Sequence, residues 1–175
     1  IKICYSNFMN IFLLDYNIER CARYHCDKHV VKMPLETTQM LSTVHWRYGT
    51  EGPYLPVHQK HPCTLWAGDS LHNYFWLLTL GFALCREYTF RYNRIHACER
   101  ILAILTDPPI NLKARGKTKH PQAMPDEYKS PSSLQAYRQY YIGEKTRLCV
   151  WKKRKIPPFM REAMLLHSLN QKMSA

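Results

Sequence analysis

Apolar side chains recur at helical spacing along most of the chain, and the clearest case lies near its middle. Asp69 or Ser70 can cap a helix that runs to about Asn93, and its first half is apolar on nearly every side. A helix with so little polar surface is buried among other elements. We therefore predict that this segment is the central buried helix of the fold, with Glu87 paired to Arg91 one turn further on.

Weaker helical patterns flank the central segment. We predict a helix that starts from an Asp15 or Asn17 cap, a helix over residues 94–105, one that starts at Ser130-Pro131 and ends near Tyr141, and an amphipathic helix over residues 159–172. Residues 49–62 and 110–131 are rich in proline and polar residues and are predicted as irregular loops. The predicted fold is mostly α, a compact single-domain helical bundle with long irregular loops. We predict that residues 9–175 form this single helical domain and that residues 1–8 are a non-structural leader.

The first helical pattern carries an unusual polar stripe. At about 100° per residue, His25, His29, Lys32 and Glu36 fall close to one line, bordered by apolar positions. Pro34 lies inside the pattern and should kink or restart the helix there. The stripe is either a solvated face or the lining of a cleft.

The composition narrows the function. The chain has 25 Lys+Arg against 13 Asp+Glu, a net charge of +12, and such an excess attracts polyanions through counterion release. Seven cysteines without a CxxC pair are typical of reduced thiols in the cytoplasm. No apolar run is long enough to span a bilayer. We therefore expect a cytoplasmic protein, from a bacterium or a phage-infected cell, that binds DNA and no membrane.

The clearest nucleic-acid signature is a block in which basic and aromatic side chains are interleaved. Lysine and arginine bind phosphates, and aromatic rings between them can stack on unpaired bases. The same spacing is also typical of core aromatics beside a solvated basic face. The predicted contacts are Arg138, Tyr141, Lys145, Arg147, Trp151, Lys152, Lys153 and Arg154.

The polar stripe offers three kinds of chemistry. His25 and His29 have the i, i+4 spacing of metal ligands, but the first is followed by Cys26 where a metalloprotease helix carries glutamate. Acid-base or phosphate-contacting work in a cleft is the alternative, with His61 as a further wall. A buried Lys32 could act as a Schiff-base nucleophile. We assign no metal ligand and no cofactor.

The order of these features resembles a known family. A histidine on the first helix precedes charged residues, His61-Pro62 precedes a long aromatic helix ending in Glu87, Tyr88, Arg91 and Tyr92, and a basic aromatic segment closes the chain. This order is similar to that of the phage-type pyrimidine-dimer DNA glycosylases of the endonuclease V kind. The stretches HCDKHVVKM, KHPC and AMPDEYK also resemble uncharacterised phage and bacterial proteins.

The resemblance implies a compact helical domain that acts on damaged pyrimidines in duplex DNA. In that family the residue after the initiator methionine attacks the sugar C1′ with its α-amine, helped by a glutamate and an arginine on the first helix. Carried over, Asn10 supplies the amine if translation begins at Met9, and His25 matches the first-helix histidine. Two positions are open for each helper: Asp27 or Glu36 for the glutamate, and Lys28 or Lys32 for the arginine.

We therefore predict a base-excision enzyme, a DNA glycosylase with or without AP-lyase activity, that acts on damaged or modified pyrimidines. It would flip a nucleotide into a cleft. The predicted catalytic residues are Asn10, His25, His29, Lys32, Glu36 and His61. The alternatives are a metal-dependent nuclease or hydrolase that uses His25 and His29, and a non-catalytic nucleic-acid-binding protein.

Overall fold

The computed structural model describes residues 9–173, and the predicted leader, residues 1–8, lies outside this range. Within it the chain forms one mostly α domain without strands, as predicted. Its helices are α1 (Ile18–Tyr24), α2 (Asp27–Arg47), α3 (Pro62–Ala67), α4 (Leu71–Tyr92), α5 (Glu99–Ile104), α6 (Ser133–Tyr140) and α7 (Arg161–Met173). A π-helical turn, Tyr141–Lys145, continues α6, and single 3₁₀ turns cover Asp126–Tyr128, Thr146–Leu148 and Pro158–Met160.

Helix α4 is the centre of the fold, which confirms the prediction. The Ser70 hydroxyl caps its start by accepting from the Asn73 amide at 3.1 Å, and Asn93 ends it in the left-handed conformation at φ 54°. Helices α1 and α2 pack along it. At Gly81 the packing is so close that a Cβ would lie 2.9 Å from Thr37 Cγ2 and 3.1 Å from Leu102 Cδ1.

The first helical region was predicted to kink or restart at Pro34, but it breaks at a different place. Pro34 lies inside a continuous α2, and the chain breaks at His25 and Cys26, which both have extended backbone angles. The free amides at the start of α2 find distant partners, because the Cys26 N–H donates to the Tyr141 hydroxyl at 3.2 Å and the Asp27 N–H donates to the Val150 carbonyl at 2.8 Å. His25 therefore does not share a helix with His29, Lys32 and Glu36.

Two other predicted helices are shorter than expected. The helix predicted over residues 94–105 begins only at Glu99, after a loop in which the Cys98 amide donates to His96 Nδ1. The helix predicted from Ser130 begins at Ser133, with Ser132 as its cap. The apolar run after Met9 is an extended segment, buried throughout residues 9–14, and it forms no strand.

A buried ion network ties the C-terminal segment to the helices. The Arg91 side chain is 0% exposed and bonds Glu87 at 2.7 Å and Asp27 at 2.8 Å, while Arg154 bonds both oxygens of Glu87 at 2.9 Å. Burial alone would raise the pKa of Glu87, but these hydrogen bonds from Arg154 and Arg91 lower it. Such a network is costly to break, because the remaining partner is left as an unpaired buried charge.

No helix found within residues 9–173 combines the length and the apolar character needed to cross a bilayer.

Candidate active site

The extended segment of residues 9–14 brings Asn10 into the interior of the protein. Asn10 is 6% exposed, and its backbone N–H donates to Oε2 of Glu36 at 2.9 Å. The second oxygen of that carboxylate, Oε1, lies 2.8 Å from Nζ of Lys32. The Glu36 side chain is 7% exposed and that of Lys32 is 50% exposed. The buried carboxylate of Glu36 thus lies between the backbone nitrogen of Asn10 and the ammonium group of Lys32, which is partly exposed to solvent.

The structure distinguishes between the two candidate carboxylates. Asp27 accepts from the guanidinium of Arg91 at 2.8 Å and from the backbone N–H of Lys152 at 3.0 Å. Asp27 is therefore part of the buried ion network around Arg91, whereas Glu36 is the carboxylate that contacts Asn10. Lys32 stands one turn before Glu36 on α2, so an unbroken helix is what brings the lysine and the carboxylate together.

The side chain of Asn10 is held by a different set of hydrogen bonds from its backbone nitrogen. Its Nδ2 donates to the Ala123 carbonyl at 2.8 Å, and its Oδ1 accepts from the Tyr137 hydroxyl at 2.8 Å. The Ala123 N–H in turn donates to the Tyr137 oxygen at 3.3 Å. Asn10, Ala123 and Tyr137 thus close a ring of hydrogen bonds, which we call the Asn10 clamp.

Sequence reasoning did not identify the clamp. Tyr137 is not among the residues predicted to contact DNA or to act in catalysis, and Ala123 carries no side-chain chemistry at all. The signal that was available is that Ala123 opens the AMPDEYK stretch, one of the three that resemble uncharacterised phage and bacterial proteins. A second such stretch, KHPC, contributes Cys63, whose thiol pKa burial raises to about 12 and which contacts Tyr137 and the backbone of Ile11.

His25 and His29 lie beside this site but do not contact Glu36. The ring of Phe12 stacks on His29, with 4.5 Å between centroids, and meets His25 edge to face at 6.0 Å. His29 Nδ1 bonds the Tyr141 hydroxyl. His25 is fully buried, its Nδ1 donates to the Cys21 carbonyl at 2.8 Å, and its Nε2 has no hydrogen-bond partner. Burial lowers the pKa of His25 to about 4, so its ring is neutral at pH 7.

A pair of thiols lies under His29. Cys26 and Cys149 are both buried, and the hydrogen bond from the Cys149 thiol, together with His29, lowers the pKa of Cys26. Since both thiols are covered, this pair has no direct access to a bound ligand.

The side chain of His61 is used in a helix cap. It caps α3, and its Nδ1 accepts from the Cys63 amide at 3.2 Å. Burial, and then the nearby His58, lower its pKa. No hydrogen bond, ion pair or ring contact within residues 9–173 joins His61 directly to His25 or Glu36.

The predicted nucleic-acid contacts divide into buried and exposed groups. Tyr141 is 0% exposed and Trp151 is 6% exposed, with Trp151 Nε1 donating to the Tyr24 carbonyl at 2.9 Å. A ring with no free face cannot stack on a base, so we leave both out of the interface. Both belong instead to the core that the plainer interpretation of the spacing predicted.

The basic residues of this segment are also of two kinds. Arg138 bonds the Leu14 carbonyl at 2.9 Å, and Arg154 covers Phe90 with 3.8 Å between its guanidinium carbon and the ring centre. Lys153 bonds the Phe90 carbonyl at 3.0 Å. Arg147 and Lys152 are exposed, and Lys145 lies half-buried over the Tyr140 ring.

The arrangement gives no support to a metal centre at His25 and His29. Among the residues that the structure describes, no three His, Cys, Asp or Glu side chains are placed to hold an ion. In addition, one ring nitrogen of His25 is hydrogen-bonded to a backbone carbonyl, and the side chain is fully buried.

A helical domain in which the nitrogen after a methionine meets a carboxylate on a helix is the arrangement that the resemblance implied for a DNA glycosylase. The family described as pyrimidine dimer DNA glycosylase matches residues 9–100, more than half of the chain, and the chain belongs to this family. Its activity is accordingly of the DNA-repair glycosylase type, with DNA as the substrate. The match begins at Met9 and includes Asn10, Lys32 and Glu36.

Comparison with curated proteins gave no match, and comparison with solved structures gave none.

Proposed function

We propose that this protein removes damaged pyrimidines from duplex DNA by nucleophilic attack of the Asn10 α-amine, and that it also has AP-lyase activity. The proposal requires that translation begins at Met9 and that this methionine is removed. The observation that supports it most strongly is the 2.9 Å separation between the Asn10 nitrogen and Glu36 Oε2. α-Amines titrate near pH 8, so a useful fraction is unprotonated and nucleophilic at neutral pH.

The chemistry follows from these two groups. The amine nitrogen forms a bond to C1′ of the damaged nucleotide while the glycosidic bond breaks, and the base leaves with that electron pair. Glu36 accepts the proton that the nitrogen must lose, and it can return a proton to the sugar ring oxygen as the ring opens. The product is a protonated imine between Asn10 and C1′. Loss of the C2′ proton to a base such as Glu36 then breaks the C3′–O bond, the 3′ phosphate leaves with that electron pair, and the strand is cleaved.

Lys32 takes the place of the family's arginine in this proposal. Its ammonium group bonds Glu36 Oε1 at 2.8 Å and is half exposed. It can therefore pair with the carboxylate and contact a phosphate on the 3′ or 5′ side of the lesion at the same time.

The exposed basic residues are proposed to hold the DNA backbone. Lys145, Arg147 and Lys152 leave their charges available to phosphates, whereas Arg138, Lys153 and Arg154 mainly fix the C-terminal segment through the bonds described above. Phosphate contacts of this kind give affinity that falls with salt and carries no sequence preference.

His25, His29 and His61 receive supporting positions in place of catalytic ones. His29 packs on Phe12 and bonds Tyr141, and His25 lies behind it. His25 and His29 thus support the segment that carries Asn10 without contacting its nitrogen, and His61 caps α3.

Trapping with sodium borohydride tests the proposal, because reduction converts the imine to a stable protein–DNA adduct. The protein that begins at Asn10, incubated with duplex containing a cyclobutane pyrimidine dimer, should give an adduct of protein plus DNA strand. The matched control is the chain of residues 1–175, in which the same nitrogen is an amide and no adduct should form. Turnover without trapping that a chelator abolishes would instead support the metal-dependent alternative, and binding without turnover would support the non-catalytic one.

A further inference from the structure

We infer that the Tyr137 hydroxyl is a positioning group that aims the Asn10 amine at the reacting sugar. This inference rests on the proposed function and adds to it a residue outside the part of the chain that matches the family. Tyr137 does not touch Glu36 or Lys32, and it acts through the side chain of Asn10.

The need for such a group follows from the chemistry of a chain terminus. Once Met9 is removed, the Asn10 nitrogen loses the peptide bond that restricts it, and a terminal residue is ordinarily mobile. A nucleophile must be held within a fraction of an ångström to react efficiently, and a displacement of about 1 Å can cost about 100-fold in rate. The nitrogen is one bond from Cα, so fixing the side chain fixes the amine.

The Asn10 clamp supplies this restraint. Asn10 Oδ1 accepts from the Tyr137 hydroxyl at 2.8 Å and from the Ile11 amide at 2.9 Å, and Nδ2 donates to the Ala123 carbonyl at 2.8 Å. None of these groups belongs to Met9, so all of them are still present in the chain after Met9 is lost. The side chain is then held by an acceptor and two donors that approach from different parts of the fold.

The clamp is itself rigid. The Tyr137 side chain is fully buried, with the edges of Phe12 and His120 against its ring at 5.8 Å and 5.5 Å between centroids. The His120 Nε2 donates to the Ile11 carbonyl at 2.8 Å and so anchors the residue after Asn10. Burial raises the pKa of Tyr137 well above 10, so the hydroxyl remains a donor at any working pH.

The clamp also accounts for the residue type at position 10. Asparagine offers one acceptor to Tyr137 and one donor to the Ala123 carbonyl. Aspartate in this place would put a carboxylate oxygen against that carbonyl, and alanine would leave both partners unsatisfied.

A double-mutant cycle tests the inference. Four proteins that begin at position 10 are compared: the natural sequence, Tyr137→Phe, Asn10→Ala, and the pair together. Single-turnover trapping rates are measured with saturating dimer-containing duplex, alongside Kd and Tm. We expect Tyr137→Phe to lower the trapping rate 10- to 100-fold with Kd changed less than 2-fold. Because the hydroxyl acts through the Asn10 side chain, the same substitution should change the rate less than 2-fold in the Asn10→Ala protein.

A matched variant separates positioning from loss of a buried hydroxyl. Tyr74 is also 0% exposed, and its hydroxyl donates to the Leu105 carbonyl at 2.8 Å in another part of the core. Tyr74→Phe should lower Tm about as much as Tyr137→Phe and leave the trapping rate unchanged. An unchanged rate in Tyr137→Phe, or an equal loss with and without the Asn10 side chain, would overturn the inference while the proposed function stands. No adduct from the natural sequence would overturn both.

Discussion

The backbone nitrogen of Asn10 lies 2.9 Å from Glu36 Oε2, although the two residues are 26 positions apart in the chain. The nitrogen comes from an extended segment and the carboxylate from the middle of α2, so the contact depends on the tertiary fold. The proposed chemistry depends on this contact, and the Asn10 clamp holds the residue that supplies the nitrogen.

Substitution of Glu36 should remove most of the chemical step. Glu36→Gln retains the shape of the side chain but cannot accept the proton of the amine, and acid-base groups of this kind contribute about 100- to 10,000-fold. We expect the trapping rate to fall by at least about 100-fold with DNA affinity retained. Asp27→Asn is the informative comparison, because the other candidate carboxylate should affect stability more than the trapping rate. A larger rate loss from Asp27→Asn would contradict the assignment.

The charge of Lys32 should matter for the chemical step. Lys32 is half exposed, but its partner Glu36 is 7% exposed and would keep the Asn10 N–H as a hydrogen-bond partner after the lysine is removed. Lys32→Ala should therefore lower the free energy of unfolding by about 1–3 kcal/mol, as for a buried group that loses one partner, and should reduce the trapping rate, while Lys32→Arg should restore much of the rate. If alanine and arginine gave the same rate, the proposed role of the charge would be wrong.

The buried network around Arg91 should be a major source of stability. Arg91→Met leaves Glu87 facing Arg154 alone and Asp27 without its guanidinium partner, and breaking a buried pair costs about 3–5 kcal/mol. Arg86→Met is the matched control, since Arg86 forms an exposed ion pair with Glu19. Urea unfolding should show a loss near that size for Arg91→Met and less than about 1 kcal/mol for Arg86→Met. Equal losses would contradict the account of the network.

Stability should fall between pH 7 and pH 5. Burial lowers the pKa of both His25 and His120 from 6.5 to about 4, so the unfolded chain binds more protons than the folded one in this window. The contribution is fully present above about pH 6.5 and is lost as the pH falls toward 4, by about 2 kcal/mol for each histidine at pH 5. Urea titrations at the two pH values measure it. The exposed variant His72→Gln should keep the same pH dependence, whereas His120→Gln should show a shallower one.

DNA affinity should depend on salt through the exposed basic residues. Arg147→Ala and Lys152→Ala should each reduce the slope of log K against log salt by about 1, because each removes one phosphate contact. Lys172→Ala, on the far end of α7, serves as the charge-matched control and should leave the slope unchanged. A slope that responds equally to all three substitutions would indicate that only net charge matters.

Local sequence signals were sufficient to predict a helix whose ends are set by its own capping residues. A cap at Asp69 or Ser70, a run of apolar residues and an end near Asn93 predicted α4 almost to the residue. The break before α2 was predicted at Pro34 and occurs at His25 and Cys26, because the hydroxyl of Tyr141 and the carbonyl of Val150 bond the free amides there. Contacts over such distances in sequence leave no local pattern.

Only part of the candidate site could be predicted, again because contacts between residues distant in sequence leave no local pattern. Asn10, Lys32 and Glu36 were named from the resemblance and the polar stripe, but only the fold distinguishes Glu36 from Asp27. The role of Tyr137 depends on a partner 127 positions away. Tyr141 and Trp151 were predicted as DNA contacts but lie in the core. Helical spacing alone cannot distinguish a buried aromatic side chain from an exposed one that could stack on a base.

The most direct test of the central proposal is the location of the trapped DNA on the protein. The adduct formed by the protein that begins at Asn10 should be digested with nuclease and protease, and its peptides analysed by mass spectrometry. We predict that the reduced sugar remnant is carried by the α-nitrogen of Asn10. A remnant on Lys32, or on any other lysine, would contradict the account.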